Sequence, residues 1–232
     1  MIEIKNASLT YPDGKLALDS VSLNLGENLS CALLGANGAG KSSLLWAIMG
    51  LLPLSGGEIF LDKIKVERKN ARAIRRIASL VFQNSDDQLF FPTVLEDVAF
   101  GLVNSGLEEG AAEIKAAEIL ERFGILQLKD RQNRQLSDGE KKKVAICASL
   151  ACSPKILLLD EPSALLDPKS KRECAEIILS LKKTVILSTH DLDFAKKCCR
   201  YCLVLKGGKA ASFGETEAIL KDEKLLFDCG LA

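Results

Sequence analysis

The stretch LSCALLGANGAGKSSLLWAIMGLL, residues 29–52, divides into an apolar run, a glycine-rich turn and a second apolar run. The first run, residues 29–35, has no polar face, as expected of a strand covered on both sides. The second, SSLLWAIMGLL, carries apolar residues at helical spacing. Between them Gly35-Ala36-Asn37-Gly38-Ala39-Gly40-Lys41-Ser42 matches GxxxxGK[ST]. Such a match arises by chance in about one chain of this length in a hundred, and the strand-before, helix-after context removes most of that risk. Each residue type has a use. Glycines let backbone N–H groups converge on phosphate oxygens with no Cβ in the way. The helix N-terminus adds partial positive charge. Lys41 suits the β- and γ-phosphates, and the Ser42 hydroxyl suits Mg²⁺.

Working outward, IEIKNASLTY and LDSVSLNL flank the turn Pro12-Asp13-Gly14 and predict an antiparallel hairpin within about residues 1–30. EIFLD near residue 60, ASLVFQ (78–83), KILLLD (155–160), TVILST (184–189) and YCLVLK (201–206) read as further strands. Helical patterns prevail from about 84 to 151, with AAEIKAAEILERFGI showing three- and four-residue spacing. Strands alternating with helices predict an α/β fold with a mostly parallel sheet. Residues 31–83 and 152–232 are expected to form its core, and 84–151 an inserted helical lobe.

Polar residues end several of these strands. Asp160 closes KILLLD and suits Mg²⁺ coordination, while Glu161 follows it and suits orienting or deprotonating a water. His190, the sole histidine, ends TVILST, and Gln83 ends LVFQ; both are expected at the carboxyl edge of the sheet, where ligands bind in such folds.

The chain has 232 residues, with 31 Lys and Arg balancing 31 Asp and Glu. That neutrality argues against a generic nucleic-acid binder. Its longest uncharged stretch, 42–57, is interrupted by Gly50 and Pro53, so no membrane span is expected. The opening MIEIK carries no signal-peptide pattern, and an intracellular chain is expected. Eight cysteines are expected to stay thiols in a reducing compartment. Cys198, Cys199 and Cys202 have a ligand-like spacing but no fourth ligand. Cys147 and Cys152, in VAICASLAC, read as small apolar side chains of a buried helix. Lys141, Lys142 and Lys143 read as a solvated helix face.

These motifs, with LSDGE (136–140) and SALLD (163–167), resemble in order and spacing the ATP-binding subunits of ABC transporters, over essentially the whole chain. The resemblance implies a P-loop NTPase fold: a RecA-like parallel sheet core, an N-terminal antiparallel β subdomain and an inserted helical subdomain. It also implies ATP and Mg²⁺ as cofactors, with hydrolysis where two such domains, identical or related, meet head to tail. Gly35 to Ser42 and Ser43 would cradle the phosphates, with Asn37, Gly38, Ala39, Gly40 and Lys41 among them. Tyr11 would stack on adenine. Ser42, Gln83 and Asp160 would hold Mg²⁺, and Glu161, His190 and Gln83 would serve catalysis. Ser137 and Gly139 would face the other copy's phosphates, and Asp167 would couple the two sites. Ser137 before a helical run is an N-cap suited to an anion.

QNSDDQLFFPTVLEDVAFG (83–101) is similar to a segment of the ATPases of energy-coupling-factor importers and of cobalt or nickel uptake systems. There it borders the groove for a helix of the integral membrane partner. This implies a peripheral subunit on the inner face of the cell membrane, energising import of a transition-metal ion or a vitamin. An exporter ATPase shares the same residues. A soluble ABC ATPase assisting iron–sulfur cluster assembly is a further alternative, disfavoured by the 83–101 segment. One departure is Asp138, where most relatives carry glycine; its carboxylate is expected to point to solvent. The sequence also ends soon after GETEAILKDEKLLF, where many relatives continue.

Overall fold

The computed structural model describes residues 1–231, whose strands lie in two sheets. Strands β1 (Ile2–Thr10) and β2 (Leu16–Leu25) form the hairpin, its turn closed by Gly14 N–H donating to Tyr11 O at 2.9 Å. β3 (Ser30–Leu34) and helix α1 (Lys41–Ile48) flank the glycine-rich turn. β4 (Gly56–Leu61) and β5 (Ile64–Lys65) then return to the hairpin, giving the order β2-β1-β4-β5. This corrects the assignment of all of 31–83 to the nucleotide-binding core. The reason is one-sidedness. In β4 Ile59 and Leu61 face inward opposite Ile4 and Ile2, while Glu58 and Phe60 are partly exposed. A strand with one wet face fits an antiparallel sheet, not the middle of a parallel one.

The chain continues through α2 (Ala71–Ile77) and β6 (Ala78–Val81) into the helical lobe of α3 (Val94–Asn104), α4 (Glu109–Arg122) and α5 (Asp138–Leu150). β7 (Ile156–Leu159), α6 (Pro168–Ser180), β8 (Thr184–Thr189), α7 (Leu192–Cys198) and β9 (Tyr201–Lys206) follow. β10 (Lys209–Glu215), α8 (Thr216–Ile219) and α9 (Glu223–Asp228) close the series. The second sheet runs β10-β9-β3-β8-β7-β6, parallel except for the antiparallel edge strand β10.

β3 shows why a continuous apolar run was needed. Cys31 and Leu33 enter a core shared with α1 and the antiparallel sheet, whereas Ala32 and Leu34 enter the core of the helical lobe. Both faces are therefore dry. Parallel register also aligns the strand ends: Leu34 lies beside Thr189, Leu159 beside Leu187, and Val81 beside Leu159. The loops that follow β3, β6, β7 and β8 consequently leave the sheet at one edge, as the position of ligand sites in open α/β sheets requires.

Two expectations about side chains fail in instructive ways. Cys152 is exposed, because α5 ends at Leu150 and the residue falls in the following turn. The other seven thiols are buried, and burial pushes Cys31, Cys147 and Cys198 up to about 12, which keeps them protonated. The lysine run is not uniformly solvated either. Lys141 pairs with Asp86 at 2.7 Å and Lys143 with Glu173, but Lys142 is buried against the end of β6. Helical periodicity explains the split, since adjacent residues lie about 100° apart around the axis.

Candidate functional site

The turn from β3 to α1 is held in shape by its glycines. Gly40, with φ of 104°, is the residue before α1, and a Cβ there would meet Ala17 O at 2.6 Å. A Cβ on Gly35 would meet Leu205 O at 2.5 Å. Any other residue at either position would push the loop off the sheet. Ala39 N–H donates to Ala36 O at 3.1 Å, and Ala39 O accepts from Gly208 N–H at 3.1 Å, anchoring the loop to the β9–β10 turn.

Lys41 opens α1 and is 6% exposed. Its Nζ donates to Gly35 O at 2.7 Å and Ala36 O at 3.3 Å and lies 3.4 Å from Glu161 Oε1. The other oxygen of Glu161 is 3.0 Å from Nδ1 of His190. Glu161 adopts φ of 43°, an uncommon conformation outside glycine, and its N–H donates to Ser188 Oγ at 2.8 Å. The Ser188 hydroxyl donates in turn to Asp160 Oδ1 at 2.6 Å, and Ser42 Oγ donates to the same oxygen at 2.9 Å. Asp160 and Glu161 are both buried, each with hydrogen-bonded or ionic partners, as buried charge requires.

Lys41, Ser42, Glu161 and His190 border a cavity of about 400 Å³, lined also by Tyr11, Lys15, Asn37, Gly38, Ser43 and Gln83, while Asp160 and Ser188 join it only through their bonds to Ser42 and Glu161. Tyr11 and Ser43 share a hydrogen bond of 3.0 Å between their hydroxyls, which fixes the tyrosine ring beside the loop. Every strand-end residue named from the sequence is thus drawn to one place. Lys15 is an additional lining residue, and Ser188 an additional support bonded to Asp160 and Glu161. Lys15 follows the Asp13 turn with no motif to mark it; Ser188 is a hydroxyl in a buried strand, a signal that was there to be weighed.

Ser137, Gly139 and Asp167 do not line this cavity. Ser137 caps α5 in a reciprocal capping box: its backbone N–H donates to Glu140 Oε2 at 2.9 Å, while its side-chain oxygen accepts from Glu140 N–H at 3.3 Å. The Ser137 backbone N–H, with its hydroxyl, holds the Glu140 carboxyl below its ordinary value. Asp167 caps α6, accepting from the Lys169 and Ser170 N–H groups and from the Ser170 hydroxyl. Gly139 connects the two caps, since a Cβ there would lie 2.3 Å from Ser170 Oγ. One chain therefore presents two separate constellations: a phosphate-loop cavity, and a paired start of α5 and α6. Asp138 is exposed and has no side-chain partner within hydrogen-bonding reach among the described residues. Asp138→Gly is accordingly expected to change the ATPase rate by less than about tenfold, because an exposed charge is largely screened. Steady-state phosphate release checks this, and a larger rise would make Asp138 a brake.

The chain matches the ABC transporter family over residues 18–164. It is 41% identical over 233 residues to the energy-coupling factor transporter ATP-binding protein EcfA of Carboxydothermus hydrogenoformans, covering 99% of this chain and 86% of that one. Among solved structures it is similar to cbiO1 from Clostridium perfringens, part of the ABC transporter complex cbiONQ. That match has a TM-score of 0.84 and 34% identity, and covers 99% of this chain and 94% of the other. A dimeric ATP-binding cassette in a post-hydrolysis state, bound to ADP and Pi, superposes with a TM-score of 0.84 at 29% identity, over 93% and 99% of the two chains. The chain is an ATPase of the ABC transporter family.

Proposed function

We propose that this ATPase drives an importer of the energy-coupling-factor kind, carrying a transition-metal ion such as cobalt or nickel, or a vitamin, through integral membrane partners. The observation that carries the reading is the segment after Gln83. Phe90, Phe91 and Phe100 pack with ring centroids 4.9 to 5.5 Å apart, yet Phe90 remains 66% exposed. Exposed clustered aromatics beside a catalytic loop suit a partner helix. The backbone of Phe90 and Phe91 is held by Asp97, whose Oδ1 accepts from Phe90 N–H at 2.9 Å and Phe91 N–H at 3.1 Å. Names of relatives in the energy-coupling-factor and cobalt-transport groups point the same way. Among the described residues no helix is long and apolar enough to cross a membrane. In this reading the pore belongs to other chains, and the subunit sits peripherally, on the face where ATP is available.

In this reading Gly38, Gly40 and Lys41 hold the ATP phosphates, Tyr11 stacks on the adenine, and Glu161 orients and deprotonates the attacking water. His190, in contact with Glu161, donates to the γ-phosphate. Ser42 Oγ and Asp160 Oδ1 lie 2.9 Å apart, and with the Gln83 side-chain carbonyl they form a set of hard oxygen donors that fits Mg²⁺. When bound, that ion would supply charge neutralisation on the phosphates. Ser137, Gly139 and Asp167 lie outside the cavity, so they complete the site of a second copy or of a related ATPase arranged head to tail. ATP binds more tightly in that closed pair and shifts the population toward it, which is how binding energy reaches the membrane partners.

The test is a pull-down of tagged Glu161→Gln chain from native membranes with Mg²⁺ and ATP. Multi-span membrane proteins are the expected companions, and their sequences would narrow the cargo. Recovery of soluble proteins alone, above all a cluster-assembly scaffold, would overturn the transport reading.

A further inference from the structure

Lys142 is a buried cation that the nucleotide site does not use. It is 3% exposed and has no ion-pair partner among the described residues. Its Nζ donates to Phe82 O at 3.0 Å and to Gln83 O at 2.8 Å. Desolvation pushes the ammonium below its ordinary value, opposed by the neighbouring Cys174 and Asp160. A methionine would fill this space without removing a charge from water, so packing alone does not explain the residue.

What Lys142 holds is the strand end that delivers Gln83 to the cavity. The same segment is gripped from α5 a second time. Gln88 Oε1 accepts from Phe82 N–H at 3.1 Å, and its Nε2 donates to Ala145 O at 3.0 Å and Ser149 Oγ at 2.9 Å. Ser149 Oγ donates to Leu80 O at 3.2 Å. Backbone groups of Leu80, Phe82 and Gln83 are therefore tied to one side of α5. That helix starts at the other constellation, capped by Ser137 and packed through Gly139 on Ser170.

We propose that Lys142 is a positioning residue for Gln83: by holding the Phe82 and Gln83 carbonyls from α5, it makes the loop in the nucleotide cavity and the helix capped by Ser137 move as one unit. The proposal rests on the ATPase site and is independent of which cargo or membrane partner is served.

The test uses four purified full-length proteins, namely wild type, Lys142→Met, Gln83→Ala and the double variant, each with Mg²⁺ and ATP. Lys142→Met is expected to lose about tenfold in kcat, the scale of a misplaced group. Its affinity for a fluorescent ATP analogue should stay within roughly twofold, because Lys142 does not line the cavity. Amide exchange across residues 82–84 should be faster in the nucleotide-free variant. The double variant should be no slower than Gln83→Ala beyond roughly twofold, as expected when one residue acts through the other. Losses that multiply, or wild-type kcat and exchange in Lys142→Met, would overturn the link while leaving the ATPase site intact. Wild-type kcat in Gln83→Ala would overturn both the link and the role of Gln83. Should Lys142→Met lack a native melting transition, Lys142→Arg takes its place. A kcat within about threefold of wild type supports the held carbonyls. A folded Arg variant as slow as Gln83→Ala overturns them.

Discussion

Glu161→Gln is expected to bind ATP and hydrolyse it at less than about one hundredth of the wild-type rate, the range that general-base loss produces. The amide keeps the size of the carboxyl, so the contact with His190 Nδ1, 3.0 Å in the native chain, can persist in altered form. What disappears is the group able to take a proton from water. Lys41 also loses its only carboxylate partner within 4 Å among the described residues, and the ammonium becomes freer to bind phosphate. Binding and turnover therefore separate in this variant. With hydrolysis blocked and two constellations per chain, ATP should drive accumulation of a dimer visible by light scattering. A variant that is strictly monomeric with saturating Mg²⁺ and ATP would falsify the head-to-tail composite site for the isolated chain.

Lys41→Ala should abolish measurable nucleotide binding. The ammonium donates to Gly35 O and Ala36 O, which places it inside the ring of backbone that would surround the phosphates. Charge-assisted hydrogen bonds contribute about 1.5–3 kcal/mol each, so losing two of them to the phosphates weakens affinity by roughly 10²- to 10⁴-fold. A second loss follows from burial. Glu161 is 6% exposed and would lose the ammonium 3.4 Å away, and breaking a buried pair from one side costs about 3–5 kcal/mol when nothing relaxes. The variant should thus melt below wild type even without ligand. Titration with a fluorescent ATP analogue decides the matter: micromolar affinity in a folded variant would mean that the phosphates sit elsewhere.

The parts of this molecule legible from sequence are those in which chemistry and local geometry coincide. Gly40 must be glycine because of its backbone angle and the nearby Ala17 carbonyl, and a pattern of glycines before a lysine is readable without any fold. Asp160, Glu161 and His190 were readable because a buried strand has few reasons to end in a polar residue. Other features depend on which segments pair across long separations. The sheet membership of β4 is decided by its register with β1, more than fifty residues earlier, and no property of EIFLD alone discloses it. Lys142 looked like one of three solvated lysines because its burial is set by the end of β6, sixty residues away. Cys152 escaped burial only because α5 stops two residues before it. The division of the site residues into two constellations was implied by resemblance; nothing in the spacing of LSDGE and SALLD reveals it.

Glu161 also sets two selective demands against each other. Its left-handed backbone conformation, with φ of 43°, is held by the Ser188 hydroxyl and by the flanking strand ends. Non-glycine residues in that region carry about 1–3 kcal/mol of strain, which persists only where the surroundings enforce it. Glycine would relieve the strain and remove the carboxylate together. Selection for a sturdier fold therefore pulls this position toward an inert protein, and selection for turnover pulls it back toward a less stable one.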